Sequence, residues 1–429
     1  MLDKTDMLDR DNLITGGDAF NLTWLNCRGS LFGGRIGEEM AKIGVKGYAA
    51  AHMGNKAELF VFRAENLRAP AANILKQEFL SKGGEAAVHP RVIVGDIERS
   101  AVIMMATAAQ YRRICVGLRR QQFGLPQLAD ELEHALVNIR RTEWILPLSG
   151  GRQLVLSDRT AIMGIINITP DSFSDGGQLG SVDAAVRAAE QMLADGALIL
   201  DIGGESTRPG HRQITEEEET ARVVPVIRAL RERTDAPLSI DTYKPQVARA
   251  ALAAGADIIN DIWGLQYAAD ERHEMAALAA EYGCPVIVMH NQQGTVYGER
   301  AAGSGIPGDL MSDMAYFFRR SRAIARAAGM SDDRLIFDIG FGFGKDHAQN
   351  MEALARVSAL RVLGRPLLVA ASRKSTLGEL TGREVDQRMV ATAAATAAAA
   401  LSGAALVRVH DIAETRDVLR VCAPLYANA

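Results

Sequence analysis

From about Ser157 onward, short apolar runs that stop abruptly in polar residues alternate with longer stretches of mixed polarity. The clearest is Leu198-Ile199-Leu200, which passes through Asp201-Ile202-Gly203-Gly204 into Glu205-Ser206-Thr207-Arg208-Pro209-Gly210. An apolar run too short for a helix, ending in Gly, acid, hydroxyl and Arg residues, reads as a buried parallel strand that opens into a ligand-binding loop. The pattern recurs. Ala161 to Thr169 leads into Pro170-Asp171-Ser172-Phe173-Ser174-Asp175-Gly176-Gly177, Pro237 to Ile240 ends at Asp241-Thr242, and Ala256 to Ile259 ends at Asn260-Asp261. Val286 to Met289 ends at His290-Asn291, Leu335 to Phe337 at Asp338, Leu367 to Ala371 at Ser372-Arg373-Lys374, and Leu406 to Val409 at His410-Asp411.

The stretches between read as helices. Val182 to Asp195, Glu216 to Arg233, Gln246 to Ala254, Glu271 to Tyr282, Leu310 to Ala328 and Gln387 to Ser402 place Ala, Leu, Val and Met at helical spacing, often with Gly after the last turn. Eight strands with polar C-terminal ends predict a (β/α)8 TIM barrel over 157–429, its site on that face. An open doubly wound sheet also uses C-terminal strand ends, but eight regular units without a Gly-rich dinucleotide fingerprint argue against it. The Ala-rich run Val390 to Leu401 reads as a buried, closely packed barrel helix.

The first 150 residues follow another pattern. Ile36 to Ile43, Pro70 to Ser81, Ala106 to Arg120 and Gln127 to Arg140 have helical periodicity, with short strands at Glu58 to Phe62 and Ala101 to Met105. They predict a small accessory α/β domain over 1–150. Pro147 to Arg152, where Gly150 and Gly151 sit between apolar segments, reads as the link to the barrel. Arg112, Arg113, Arg119 and Arg120 form a solvated helix face on this reading, and no catalytic constellation is visible here.

Composition narrows the classes. With 429 residues, 48% of them hydrophobic, and a net charge of -4, the chain can bury two cores and is not basic enough to suggest a nucleic-acid partner. Cys27, Cys115, Cys284 and Cys422 are scattered, with no metal-ligand spacing, which favours reduced thiols and a cytoplasmic location over a disulfide framework or a zinc site. The acidic start, Met1 to Asp11, does not resemble a signal peptide, and no apolar run has the length of a membrane span.

The strand ends supply the chemistry. Asp241, Asn260 and Asp338 with Lys374 offer acceptors, an amide and one cation, which suit a flat, donor-rich heterocycle such as an aminopyrimidinone. Arg408 and His410 lie two apart on the last strand and share a face, beside Ser372-Arg373-Lys374-Ser375 on the strand before. Barrels commonly hold phosphate on those two loops. The alternative is that Arg408 and His410 pair with strand-end acids. Asn167 offers a neutral oxygen, and a magnesium ion bound mainly by phosphate oxygens and water needs only one or two protein ligands.

Met163-Gly164-Ile165-Ile166-Asn167-Ile168-Thr169-Pro170-Asp171-Ser172-Phe173-Ser174-Asp175-Gly176-Gly177, the Gly203 to Gly210 segment, Gly340-Phe341-Gly342-Phe343-Gly344-Lys345, Ser372-Arg373-Lys374-Ser375 and Val407-Arg408-Val409-His410-Asp411 occur in that order. Together they resemble dihydropteroate synthase across 157–429. The earlier segments Ala71 to Glu78 and Gly83 to Val88 resemble the extra domain of long forms of that enzyme. The resemblance implies condensation of 6-hydroxymethyl-7,8-dihydropterin pyrophosphate with p-aminobenzoate, giving 7,8-dihydropteroate and pyrophosphate, in a homodimer. It implies that Asp241, Asn260, Asp338 and Lys374 hold the pterin, that Asn167 ligates magnesium, and that Arg208, Arg408 and His410 take the pyrophosphate. Thr207, Pro209, Phe343 and Ser375 would surround p-aminobenzoate, and Asp241, Lys374, Arg408 and His410 would be the catalytic groups.

The chain departs from the family at Asn291-Gln292-Gln293, where a Met-Gln-Gly type of run is usual, at Ile339, where a Pro is common, and at Thr376, where an aromatic is usual. Loss of a ring at Thr376 would widen the arylamine pocket and alter affinity for the substrate or for sulfonamide mimics. Two other readings share the pterin pocket. A corrinoid-dependent methyltransferase domain would not need Lys374, Arg408 and His410 for a leaving pyrophosphate, and a non-catalytic pterin-binding homologue would keep the pocket without turnover.

Overall fold

The computed structural model describes residues 21–24, 40–45, 47, 48, 53, 56, 58–157, 159–168, 177–205, 213–291 and 309–426. Three of the expected site residues, Thr207, Arg208 and Pro209, therefore lie outside the described residues, as does most of the Pro170 to Gly177 loop.

Strands β1 (Thr23–Trp24), β2 (Leu59–Arg68), β3 (Glu85–Val88) and β4 (Arg99–Thr107) form an antiparallel sheet in the order β1-β2-β4-β3. Helices α1 (Ala69–Ser81), α2 (Ala108–Leu118) and α3 (Leu125–Asn138) complete this small α/β layer. Pro at the first turn fits α1 and α3 because the first N–H groups of a helix lack intrahelical acceptors. A capping box between Thr107 and Gln110 starts α2. Every second residue of β4 is buried, and Val102 and Met104 meet Phe62, Phe79, Tyr111 and Ile114 in the core. Arg119 pairs with Asp130 and Glu133 at the surface, in keeping with a solvated face.

Strands β5 (Glu143–Pro147) and β6 (Gln153–Ser157) pair antiparallel, so the stretch expected as a linker is the turn of a hairpin. Gly150 and Gly151 both have positive φ there, which a side chain would strain. The hairpin straddles the division between 1–150 and 157–429 expected from sequence. Its alternation is regular, with Trp144, Leu146, Leu154 and Leu156 buried between exposed neighbours.

The eight expected strands follow as β7 (Ala161–Asn167), β8 (Ile199–Gly203), β9 (Leu238–Asp241), β10 (Ile258–Asp261), β11 (Val286–Met289), β12 (Leu335–Asp338), β13 (Leu367–Val369) and β14 (Leu406–Val409). All pair in parallel, and β14 pairs with β7 to close the barrel. Helices α4 (Gly177–Asp195), α5 (Glu216–Arg231), α6 (Pro245–Ala253), α7 (Glu274–Tyr282), α8 (Leu310–Ala327), α9 (His347–Ala355), α10 (Ser375–Thr381), α11 (Met389–Leu401) and α12 (Ile412–Tyr426) connect and flank them. Helix α11 carries the Ala-rich run but is buried along one stripe only, through Thr392, Ala395, Thr396, Ala399 and Ala400, while Val390 and Leu401 are exposed.

Alternate strand residues separate into two cores. Leu200, Ile202, Leu238, Ile240, Val286, Val288, Phe337 and Val407 pack outward beneath the helices. Met163, Ile199, Ile258, Ile287, Ile336 and Leu368 form a second cluster with Trp144, Leu146, Leu154 and Leu156, so the hairpin plugs the barrel interior from its N-terminal end. Asp257, fully buried, fixes that end by accepting from Arg152, from Arg231 at 2.6 Å and from Ser149 at 2.7 Å. Toward the opposite mouth the inward positions change from apolar to polar. The N-terminal layer docks on the barrel's flank, where Asn138 donates to Val362 O at 2.8 Å and Arg319 to Leu22 O at 2.9 Å. Among the described residues, no helix is long and apolar enough to cross a membrane. Cys115, Cys284 and Cys422 are free and buried.

Candidate active site

Strand register sets the polar rim. Asn167 stands beside Gly203, Gly203 beside Asp241 and Asp241 beside Asn260, so four neighbouring strands present one row at the mouth. Below the row is Asp201, two residues before Gly203 on the same face and fully buried. Asn260 Nδ2 donates to Asp201 Oδ2 at 3.1 Å.

Arg408 joins this row from the last strand. Its Nε donates to Asp201 Oδ2 at 2.5 Å and its Nη2 to Asp241 Oδ2 at 2.6 Å. The alternative posed by the sequence, that Arg408 pairs with strand-end acids, therefore holds for its Nε and Nη2. Among the described residues Nη1 has no hydrogen bond. Burial works against the Arg408 charge, but Asp201 and Asp241 outweigh it and hold the guanidinium protonated. Burial pushes Asp241 up to about 7, with Asp201 adding to the rise and Arg408 opposing it. One oxygen of each carboxylate, Asp201 Oδ1 and Asp241 Oδ1, is buried without a partner. A buried acceptor left unpaired is costly, so such atoms mark where a donor-bearing ligand gains most.

Asp338 lies on the other wall, its Oδ1 accepting from Gly340 N at 2.8 Å. Burial raises its carboxyl above the usual range, with Lys374 opposing. Lys374 donates to Phe341 O, and its Nζ stands 4.6 Å from the centre of the Phe343 ring. Burial lowers the Lys374 ammonium to about 8, with Asp338 opposing. The loop between Asp338 and Lys345 turns sharply at Gly340, where φ is +62° and a Cβ would stand 2.0 Å from His290 O. Only glycine fits that approach. Lys345 Nζ then donates to Gly340 O at 3.0 Å, Phe343 O at 3.1 Å and His290 O at 3.3 Å. Burial brings the Lys345 ammonium down to about 7, against the pull of Asp338.

His410 interacts with Ser372, its Nδ1 3.0 Å from Ser372 Oγ. Arg373 forms a forked pair with Asp411, which leaves Lys374 as the cation of that loop turned toward the barrel. Ser375 follows at the start of α10. Thr376 comes next. It is 1% exposed and bonded to Asn350 and His347.

The structure thus gathers Asn167, Asp241, Asn260, Asp338, Lys374, Arg408, His410 and Phe343 at one barrel mouth. Sequence reading gave no role to Asp201, although a carboxylate within an apolar strand must find partners inside. Among the described residues no group of three His, Cys, Asp or Glu side chains is placed to hold a metal ion. Asn167 is thus a lone neutral donor, and Gly203 leaves space next to it, since a Cβ there would stand 3.8 Å from Asn167 Oδ1. That donor set fits a magnesium ion whose other ligands are water and substrate phosphate.

A profile of the family described as pterin binding enzyme matches residues 163–410. The dihydropteroate synthase of Clostridium beijerinckii is 44% identical over 266 residues, covering 62% of this chain and 94% of that protein. A probable bifunctional folylpolyglutamate synthase/dihydropteroate synthase of Halobacterium salinarum is 40% identical over 351 residues, 82% of this chain and 41% of that protein, a length that takes in part of the N-terminal layer. The structure of Xanthomonas albilineans dihydropteroate synthase with 4-aminobenzoic acid shares 43% identity and a TM-score of 0.60, covering 67% of this chain and 99% of that one. With the barrel, the motifs and this similarity in agreement, the chain belongs to the dihydropteroate synthase family of pterin-binding enzymes.

Proposed function

We propose that the reaction of this family, condensation of 6-hydroxymethyl-7,8-dihydropterin pyrophosphate with p-aminobenzoate, runs at the barrel mouth with the pterin deepest. The observation that carries the reading is the convergence of Asp201, Asp241, Asn260 and Asp338 with Arg408 and Lys374, including two buried carboxylate oxygens without partners. An aminopyrimidinone edge donates two N–H groups and accepts at its carbonyl, which complements carboxylates, an amide and an ammonium.

Pyrophosphate leaves when the C–O bond to the pterin methylene breaks, placing positive charge on that carbon. Cations aimed at the departing oxygen and an anionic wall beside the carbon both favour this ionisation. Arg408, through its remaining Nη1, and His410 are assigned to the departing anion, with Arg208 from the loop after β8. Asp241 faces the developing cation. Asn167 would hold magnesium, which would supply further positive charge against the pyrophosphate. The arylamine, neutral at pH 7, attacks without a strong base, the acidic arylammonium it forms gives its proton to water, and Phe343, Ser375, Thr207 and Pro209 are assigned to its ring and carboxylate.

The expected homodimer finds support in exposed Val390 and Leu401 on α11 and Val421 and Leu425 on α12, two helices packed on each other. A cytoplasmic location is supported by the three buried free thiols. The division into an accessory layer and a catalytic barrel is supported by the location of every described site residue on barrel strands, the loops that follow them or, for Ser375, the helix that begins there. Pyrophosphate release from the pterin substrate, with p-aminobenzoate and magnesium supplied, tests the reading. Release that depends on p-aminobenzoate is expected; pterin binding without release would instead identify a non-catalytic homologue.

A further inference from the structure

Three chain segments meet behind Lys374. They are the glycine loop 340–344, the first turns of α9 and the start of α10. Asn350, 1% exposed, joins all three. Its Oδ1 accepts from Gly342 N at 2.7 Å, and its Nδ2 donates to Lys345 O at 3.2 Å and to Thr376 Oγ1 at 3.2 Å. Thr376 Oγ1 in turn lies 3.1 Å from His347 Nδ1. Gly342, with φ of +84°, packs on the Lys374 side chain, where a Cβ would stand 3.0 Å from Cδ. Phe343 is the next residue, and its ring lies under the Lys374 ammonium.

One buried carboxamide thus couples the loop after β12, which carries Phe343, to the loop after β13, which carries Lys374 and Ser375. A buried amide engaged at both its oxygen and its nitrogen has no equivalent alternative orientation, so it fixes relative position as well as adding stability. The pterin groups of the far wall do not depend on it. Asp201, Asp241 and Asn260 are held by one another and by Arg408 on the opposite wall.

We propose that Asn350 and Thr376 are positioning residues for the arylamine half of the site, setting Phe343 against Lys374 and so determining affinity for p-aminobenzoate more than affinity for the pterin. The inference rests on the assignment of Phe343 to p-aminobenzoate. Neither residue touches a reacting atom.

Steady-state kinetics on the full chain, varying each substrate separately, test this with Asn350→Ala, Thr376→Val, Thr376→Ser and Phe343→Ala. Loss of a buried neutral hydrogen bond predicts that Asn350→Ala and Thr376→Val raise KM for p-aminobenzoate about fivefold, leave KM for the pterin pyrophosphate within about twofold, and that Thr376→Ser restores the former. Should Asn350→Ala fail to fold, the near-isosteric Thr376→Val and its Ser rescue decide the matter. Equal rises in both KM values, or a fall in melting temperature with both unchanged, overturn the proposal in favour of general support. If Phe343→Ala raises KM for p-aminobenzoate and Thr376→Val does not, the brace alone is refuted. If Phe343→Ala changes nothing, the Phe343 assignment falls and the proposal falls with it.

Discussion

Arg408 reaches across the barrel mouth from β14 to place its Nη2 2.6 Å from Asp241 Oδ2 on β9. With Asp201 on its Nε, the guanidinium offsets the repulsion between two buried acids. The pair makes the proposed pterin site preformed, yet leaves it carboxylate oxygens to spare.

Asp241→Asn should therefore fold but bind pterin more weakly. It sets an amide donor against ligand donors and removes one partner of Arg408. Loss of a charged hydrogen bond of this kind costs about 1.5–3 kcal/mol. Calorimetry with a pterin lacking pyrophosphate measures it, and unchanged affinity would refute the pocket assignment.

Arg408→Ala and His410→Ala should differ. Removal of Arg408 strips the counter-charge from Asp201 and Asp241, so both pterin affinity and turnover should fall. Removal of His410, whose described partner is Ser372, should lower kcat while affinity for pterin lacking pyrophosphate is retained. Comparable losses of pterin affinity in the two variants would contradict the separation of roles.

Pterin affinity should also depend on pH with two limbs. Burial holds Asp241 up at about 7, so the acceptor carboxylate forms as pH rises through that value and affinity should climb. Burial holds Lys374 down at about 8, so its ammonium is lost above that value and affinity should decline. A titration of binding from acid to alkaline pH reads both limbs, and Lys374→Met should abolish the alkaline one.

Much of this was legible in the chain because each barrel strand is buried on both faces and ends in residues unlike those within it. The runs at 237–241 and 335–338 announced Asp241 and Asp338 in this way. Asp201 escaped because it lies inside an apolar run, where a single acid looks like an interruption of a strand rather than its functional end. Pairing of Arg408 with strand-end acids was legible only as an alternative, and its partners Asp201 and Asp241 were not, since they meet it only once β14 closes against β7. The hairpin was missed for a different reason. Gly150-Gly151 drew attention to a break, while the alternation of Trp144 and Leu146 with Leu154 and Leu156 around it carried the strand signal.

The hairpin should matter more for stability than for chemistry. Trp144 is 6% exposed and holds Gly364 O at 3.0 Å while covering the inward-facing strand residues. Trp144→Ala should destabilise the fold by about 3–5 kcal/mol, as other buried Trp truncations do, with pterin affinity per folded molecule preserved. Denaturant unfolding and active-site titration separate the two quantities.

Closure of the rear by β5 and β6 also governs traffic. A vessel with one mouth admits its deepest occupant first and discharges it last. With the pterin deepest, as proposed, it would enter before the arylamine and leave by the same mouth as part of the product. On that assignment the hairpin, which touches none of the reacting groups, leaves one route into and out of the site.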